Sequence, residues 1–222
     1  MKSNTRRQDE SSTISKSRND GANLKTPQDD RMKENPIALF NKLCSSIFAP
    51  DDDFPNAAAL ATADRESRPS VRMVIIKQAD DNGFIFYTNL ESRKGRELSS
   101  NRNAALCFWW PSIKVQVRIE GSVSAVDDEE ADAYFATRPR GSQIGAWASS
   151  QSAELESLES LREDADKIAK RHTAHVPRPS YWSGFRLEPK SLEFWFGKQD
   201  RLHERRLYTR RGDRWVLSLL YP

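Results

Sequence analysis

Pro69-Ser70-Val71-Arg72-Met73-Val74-Ile75-Ile76, then Asp80-Asp81-Asn82-Gly83, then Phe84-Ile85-Phe86-Tyr87-Thr88 is the stretch that decides the fold. In its first part Val71, Met73 and Ile75 alternate with Arg72, Val74 and Ile76, the two-residue period of a strand. Asn-Gly is a strong hairpin signal, because both residues tolerate the positive φ of a tight turn. The apolar run behind it reads as the returning strand.

Working outward, the same pattern repeats. Upstream, residues 57–62 form an apolar strand that turns at Asp64-Arg65-Glu66-Ser67. Before it, Pro36 opens a helix with Ile37, Leu39, Phe40, Leu43 and Ile47 on one face, and Pro55 stops it. Downstream, Ser92 begins a short helix with Arg93, Lys94, Gly95 and Arg96 in its first turn. Residues 104–110 and 115–123 are strands, the second with Gln116, Arg118 and Glu120 opposite Val115, Val117 and Ile119. Residues 127–138 read as a helix capped by Asp127, with Glu130 closing a capping box. Residues 153–171 read as a charged helix with Leu155, Leu158, Leu161 and Ile168 inside. Strands follow at 182–187, 191–196, 205–208 and 215–219, with Asp200 in a connecting loop and a turn at Arg211-Gly212-Asp213. Many hairpins and no βαβ alternation predict a mainly β (α+β) fold, an antiparallel barrel with peripheral helices.

Residues 1–34 are polar and lack any aromatic side chain, so they predict a disordered tail ahead of one domain over 35–222. Lys and Arg number 35 against 32 Asp and Glu, a net charge of +3, and the two signs are interleaved. A nucleic-acid partner would call for a basic block or stripe instead. Cys44 and Cys107 form no CxxC pair and read as small buried hydrophobes of a reducing compartment. His172, His175 and His203 lack ligand companions, so no metal is expected. No apolar run approaches the roughly 20 residues of a membrane span. The tail has no apolar segment of a secretory leader, and a cytoplasmic location is expected.

With no GxGxxG and no P-loop, any phosphate must be held by side chains. Arg72 and Lys77 on a strand, with Arg93 and Lys94 at a helix start, could form one cradle. Tyr134, Arg138, Arg140 and Ser142 could form a second, suited to phosphate by the planar guanidinium fork. Near the C-terminus Phe194-Trp195-Phe196-Gly197 precedes Arg201-Leu202-His203-Glu204-Arg205, which could wall and face a flat ring. Each group alone also reads as ordinary solvated cations beside core aromatics, and the residue types leave both readings open.

Taken in order, these stretches resemble the pyridoxine (pyridoxamine) 5'-phosphate oxidase family. The matching segments are 68–77, 86–95, 116–121, 134–149 with Gln151 and Ser152, 176–179, 193–195 and 201–205, spread from Pro36 to Pro222. The resemblance implies an FMN-binding split β-barrel working as a homodimer, with FMN at the subunit interface and a C-terminal dimerisation segment. It implies flavin contacts from Arg72, Met73, Val74, Ile75, Ile76, Lys77, Tyr87, Thr88, Arg93, Lys94, Gln116, Gln151, Ser152, Trp195 and Arg205. It implies a substrate phosphate at Lys77, Tyr134, Arg138 and Ser142, with Arg201, Leu202 and His203 at the pyridine ring and Arg201 and His203 as the catalytic pair.

The implied reaction oxidises pyridoxamine or pyridoxine 5'-phosphate to pyridoxal 5'-phosphate. A hydride equivalent goes to the flavin, O2 is reduced to H2O2, and ammonia leaves from the amine. Two alternatives remain: a related flavin oxidase of the phenazine-biosynthesis type, and a non-catalytic FMN- or pyridoxal-phosphate-binding module. The chain departs from the family at Phe196, where Gln is usual, and at Val115, where Arg is frequent. The tail also lacks the family's Tyr-Gly-Leu stretch.

Overall fold

The computed structural model describes residues 34–47 and 54–222. The expected tail falls outside these residues except for Glu34, whose carboxylate accepts a hydrogen bond from the Tyr208 hydroxyl at 2.9 Å. The described elements are α1 (Pro36–Ser45), β1 (Ala57–Ala63), β2 (Pro69–Ile75), β3 (Gln78–Asp80), β4 (Gly83–Asn89), α2 (Arg93–Ser100), β5 (Asn103–Trp110), β6 (Val115–Ala125), α3 (Asp128–Thr137), α4 (Arg140–Ala148), α5 (Leu158–Arg171), β7 (Trp182–Phe196), a 3-10 turn (Gln199–Arg201), β8 (Glu204–Arg211) and β9 (Arg214–Leu220).

All nine described strands join one sheet, ordered β2-β1-β5-β6-β7-β4-β3, with β8 and β9 continuing from β7. Every pairing is antiparallel. The two ends of the order, β2 and β3, are joined in the chain by Ile76 and Lys77 alone, so the sheet must curl back on itself. The Lys77 amide donates to the Ile85 carbonyl at 2.8 Å and fixes that corner. The result is a mainly β fold, a curled half-barrel with helices outside it.

The barrel interior is filled by alternate residues, among them Leu60, Phe86, Leu106, Phe108, Val117, Ile119 and Phe194, all fully buried. Helix α1 closes one end. Its Phe40 ring lies 5.1 Å from Phe84 and 4.9 Å from Phe108. Asn35 caps this helix by accepting from the Ile37 amide, and Pro36 sits in the first turn where its missing N–H costs nothing.

The structure corrects several sequence expectations. The strands expected at 182–187 and 191–196 are one 15-residue strand, β7. Residues 182–187 pair with β4 and 191–196 pair with β8, while β6 runs beside both halves. Pro189 falls where the outer partner changes, so its missing N–H breaks no ladder bond on that side. The charged helix begins at Leu158 behind the Ser157 cap rather than at 153, and Leu155 and Leu158 are exposed. Helix α4 was not expected, and Pro139 separates it from α3. Asp127 caps α3 as expected, yet the Glu130 carboxylate pairs with Arg186 at 3.3 Å instead of closing the box. The hairpin tip is Asp81-Asn82, and Gly83 is already the first strand residue with φ of 127°. Cys44 and Cys107 are half-buried rather than buried, and burial pushes both thiols up, toward the inert protonated form.

Candidate active site

A cleft of about 710 Å³ opens between the β2 and β4 side of the barrel and the helices α2, α3 and α4. Met73, Val74, Ile75, Lys77, Tyr87, Thr88, Lys94, Tyr134, Arg138, Ser142 and Gln151 all line it. Residues from both expected phosphate cradles therefore meet in one space.

The first cradle is built on the start of α2. Ser92 caps the helix through the Gly95 amide and donates its hydroxyl hydrogen to the Asn89 carbonyl at 2.7 Å, locking the turn after β4. A side chain at Gly95 would run into the Leu90 carbonyl oxygen, so only glycine lets the helix start this close to the strand. The Lys94 ammonium donates to Gln151 Oε1 at 2.7 Å, Thr88 Oγ1 at 3.1 Å and Ser92 Oγ at 3.2 Å. Burial, and then the neighbouring Arg72 charge, bring its pKa down to about 8. Ser152, held at φ of 75°, accepts from the Arg93 amide at 3.2 Å. The pair Gln151 and Ser152 thus returns to this helix start from far along the chain.

Arg72 and Arg93 do not line the cleft. The Arg72 guanidinium donates to Thr62 Oγ1, Ser70 Oγ, the Leu60 carbonyl and Glu97. Arg93 Nε donates to the other Glu97 oxygen at 2.9 Å. Sequence reasoning missed Glu97, which is 6% exposed. Burial raises its pKa, but hydrogen bonds from Ser70, Thr62 and Arg93 and the Arg72 charge outweigh that and bring it to about 2. Its signal was the four-residue spacing from Arg93 together with Thr62 in the otherwise apolar β1 and Ser70 beside Arg72 in β2. Ile76 is in the core, 4% exposed, so only its backbone can face a ligand.

The second cradle centres on Arg138, at the C-cap of α3. Its guanidinium carbon lies 4.6 Å from the Trp182 ring centroid and 5.5 Å from that of Phe135. Its Nη1 is shut off from solvent with no hydrogen-bond partner among the described residues. Burial pushes this guanidinium's pKa down. Tyr134 stacks on Tyr87 with centroids 4.0 Å apart and planes 12° from parallel, and Tyr87 stacks in turn on Trp182 at 5.5 Å. Burial, then the Glu130 charge, push Tyr87 up to about 12, so its phenol stays a donor. The Lys77 ammonium sits 5.9 Å from the Tyr134 ring centroid.

Arg140 turns away from the second cradle. It donates to the Ala169 and His172 carbonyls and ties α4 to α5. Arg178, 10% exposed, pairs with Asp128 and Asp132 and donates to the Trp182 carbonyl at 2.8 Å, holding α3 against the start of β7. Trp182 was read only as the start of a strand, and the structure makes it a wall of the cleft.

The remaining expected residues cluster elsewhere. Gln116, Trp195 and Arg205 are register partners across β6, β7 and β8. The His203 ring lies 4.4 Å from that of Trp195, and its Nδ1 accepts from the Lys198 amide at 3.2 Å. The neutral imidazole therefore carries its proton on Nε2. Arg205 is braced by the buried Glu193 at 2.7 Å and by the Tyr221 carbonyl at 2.9 Å. Asp200 and Arg201 hold φ of 54° and 58°, consecutive left-handed conformations in an exposed loop. The Leu202 side chain is exposed. None of these residues lines the cleft. The expected site residues thus fall in two separate clusters. Among the described residues no cluster could hold a metal, and no helix is long and apolar enough to cross a membrane.

Residues 53–172 match the family described as pyridoxamine 5'-phosphate oxidase, and residues 182–222 match the pyridoxine 5'-phosphate oxidase C-terminal dimerisation region. A pyridoxine/pyridoxamine 5'-phosphate oxidase of Brucella anthropi is 51% identical over 191 residues, covering 84% of this chain and 94% of that protein. One of a Chelativorans species is 50% identical over 189 residues, covering 84% of this chain and 90% of that protein. Among solved structures, PhzG from Burkholderia lata in complex with tetrahydrophenazine-1-carboxylic acid aligns with a TM-score of 0.82 at 34% identity, covering 90% of this chain and 98% of its own. An FMN-binding protein related to pyridoxamine 5'-phosphate oxidase from Nostoc punctiforme aligns at 0.64 with 16% identity, covering 84% and 96%, a likeness of fold.

Proposed function

The chain belongs to the pyridoxamine 5'-phosphate oxidase family, and from that premise we propose that it is an FMN-dependent enzyme oxidising pyridoxamine or pyridoxine 5'-phosphate to pyridoxal 5'-phosphate. The observation that carries the substrate is Arg138, which lines a cleft that also holds Lys77 and Ser142 and whose Nη1 is a buried donor with no partner among the described residues. A buried, unsatisfied guanidinium donor is costly unless a ligand oxygen meets it. A phosphate does so with charge as well as geometry.

The residues present also fit FMN. The half-buried Lys94, with Thr88, Gln151 and Ser152 around the start of α2, can receive the flavin phosphate. The β2 backbone at 73–75 offers an edge for the flavin ring. Bound FMN would accept two electrons from the substrate and be reoxidised by O2, giving H2O2. The protein's own part is placement. Lys77, Tyr134, Arg138 and Ser142 hold the substrate phosphate, and the Tyr134-Tyr87-Trp182 stack keeps that wall rigid.

Arg201 and His203 orient the pyridine ring, and they reach it from a second subunit. Gln116, Trp195 and Arg205 complete the flavin site in the same way. The active form is a homodimer with FMN at the interface, which the match to a dimerisation region supports. The domain spans 35–222.

The test is to load the protein with FMN and mix it with pyridoxamine 5'-phosphate without oxygen. Flavin bleaching with an equal amount of pyridoxal 5'-phosphate is the expected result. A yellow protein that bleaches only with a non-phosphorylated ring substrate would favour the second reading, which rests on the likeness to PhzG. A yellow protein that bleaches with neither would favour a binding module.

A further inference from the structure

We propose that Glu97 is the positioning residue that sets Arg72 and Arg93 for the flavin phosphate, an inference that rests on the FMN reading above. Thr62, Ser70 and Arg72 donate to one Glu97 oxygen, and Arg93 donates to the other. Four donors fill the acceptor capacity of a carboxylate. They come from β1, β2 and α2, so a single side chain fixes three elements around the helix start.

The Thr62 and Ser70 hydroxyls act in both directions. Each donates to Glu97 and accepts from Arg72, so the guanidinium plane is set by a closed ring of hydrogen bonds. Arg72 keeps its Nε–H and Arg93 its four terminal N–H groups for another acceptor. Arg93 is 60% exposed along its side chain, and its neighbour Lys94 enters the cleft.

The charges agree with a phosphate. Arg72, Arg93 and Lys94 bring three positive charges to the start of α2, and Glu97 removes one. The surplus of two matches a phosphate monoester, which carries roughly −1.5 to −2 at neutral pH. Glu97 therefore has two effects of opposite sign on an anion. Its charge repels, while its geometry holds two cations in place. The proposal is that geometry wins.

Glu97→Gln separates these effects. The amide keeps an oxygen for Thr62, Ser70 and Arg72 but turns an NH2 toward Arg93 Nε, donor against donor, and so releases Arg93. Binding of FMN and of riboflavin, which lacks the phosphate, is followed by quenching of flavin fluorescence. We expect the Kd for FMN to rise about tenfold or more, and the Kd for riboflavin to change less than about threefold. An FMN affinity that is unchanged or improved overturns the proposal, since charge then outweighs position. Equal weakening of both flavins also overturns it, since Glu97 then only supports the fold. If Glu97→Gln does not fold, Ser70→Ala removes one leg of the ring and is expected to weaken FMN alone; no flavin selectivity there has the same overturning force. A wild-type protein that binds neither flavin sinks the FMN reading itself, a result distinct from all of these.

Discussion

Lys94 shows how far surroundings can change one residue. Its pKa lies at about 8, below the ordinary 10.5, through burial first and the Arg72 charge second. Between those two values the unfolded chain holds a proton that the folded, ligand-free site has lost. Stability contributed by Lys94 therefore rises with pH across that window, and below about 8 the full penalty of a half-buried cation stands. A bound phosphate draws the proton back. FMN affinity is expected to be level from pH 7 to 8 and to fall by up to about tenfold per unit above that. Titrations between pH 7 and 9.5 check it, and Lys94→Met should flatten the slope. A slope that survives in Lys94→Met would assign the titration to another group.

At this scale Lys77, Lys94, Tyr134 and Arg138 were legible in the sequence because they are chemically out of place in strands and at helix ends. Glu97 was not. In Arg93-Lys94-Gly95-Arg96-Glu97 it looks like any solvated carboxylate, and only the packing of β1 and β2 against α2 reveals its burial.

Among the elements, α2 is held tightly at its start. Its start is fixed by the Ser92 cap and by the absence of a side chain at Gly95, which packs on the Asn89 and Leu90 carbonyls. Gly95→Ala is expected to push the helix off the strand, costing about 1–3 kcal/mol of stability by overpacking. It should weaken FMN binding in the same step, because Arg93 and Lys94 move with the helix. Urea denaturation and flavin titration on one preparation test this, and a variant with wild-type stability would mean that the turn relaxes freely.

The hairpins were legible because turn chemistry is local. The length of β7 was not, because a strand that changes partner at 188–190 looks like two strands around a proline. Helix α4 was hidden for a similar reason. Pro139 ends one helix and prepares the next, and Arg138-Pro139-Arg140 reads as a plain break.

Among the described residues, large apolar side chains stand in water on β2, β9 and, at Trp109, β5. Val71 and Met73 of β2 are 68% and 63% exposed, and Leu219 of β9 is 64% exposed. Faces of this kind are what a second copy of a chain covers. The barrel itself was legible from hairpin density. The separation of the expected site residues into two clusters was not, since a sequence lists residues without saying which of them can meet.

In the proposed dimer that separation has a genetic consequence. A chain with Arg138→Ala and a chain with Arg201→Ala are each expected to be nearly inactive alone. When the two are co-expressed and pair at random, half of the dimers are mixed. In a mixed dimer both lesions fall in one site, and the other site is built entirely from wild-type residues. The mixture is expected to recover about a quarter of wild-type turnover. Differently tagged copies purified in tandem measure this directly. Two crippled alleles would then sustain a cell that neither could sustain alone, and recovery near zero would mean that each chain completes its own site.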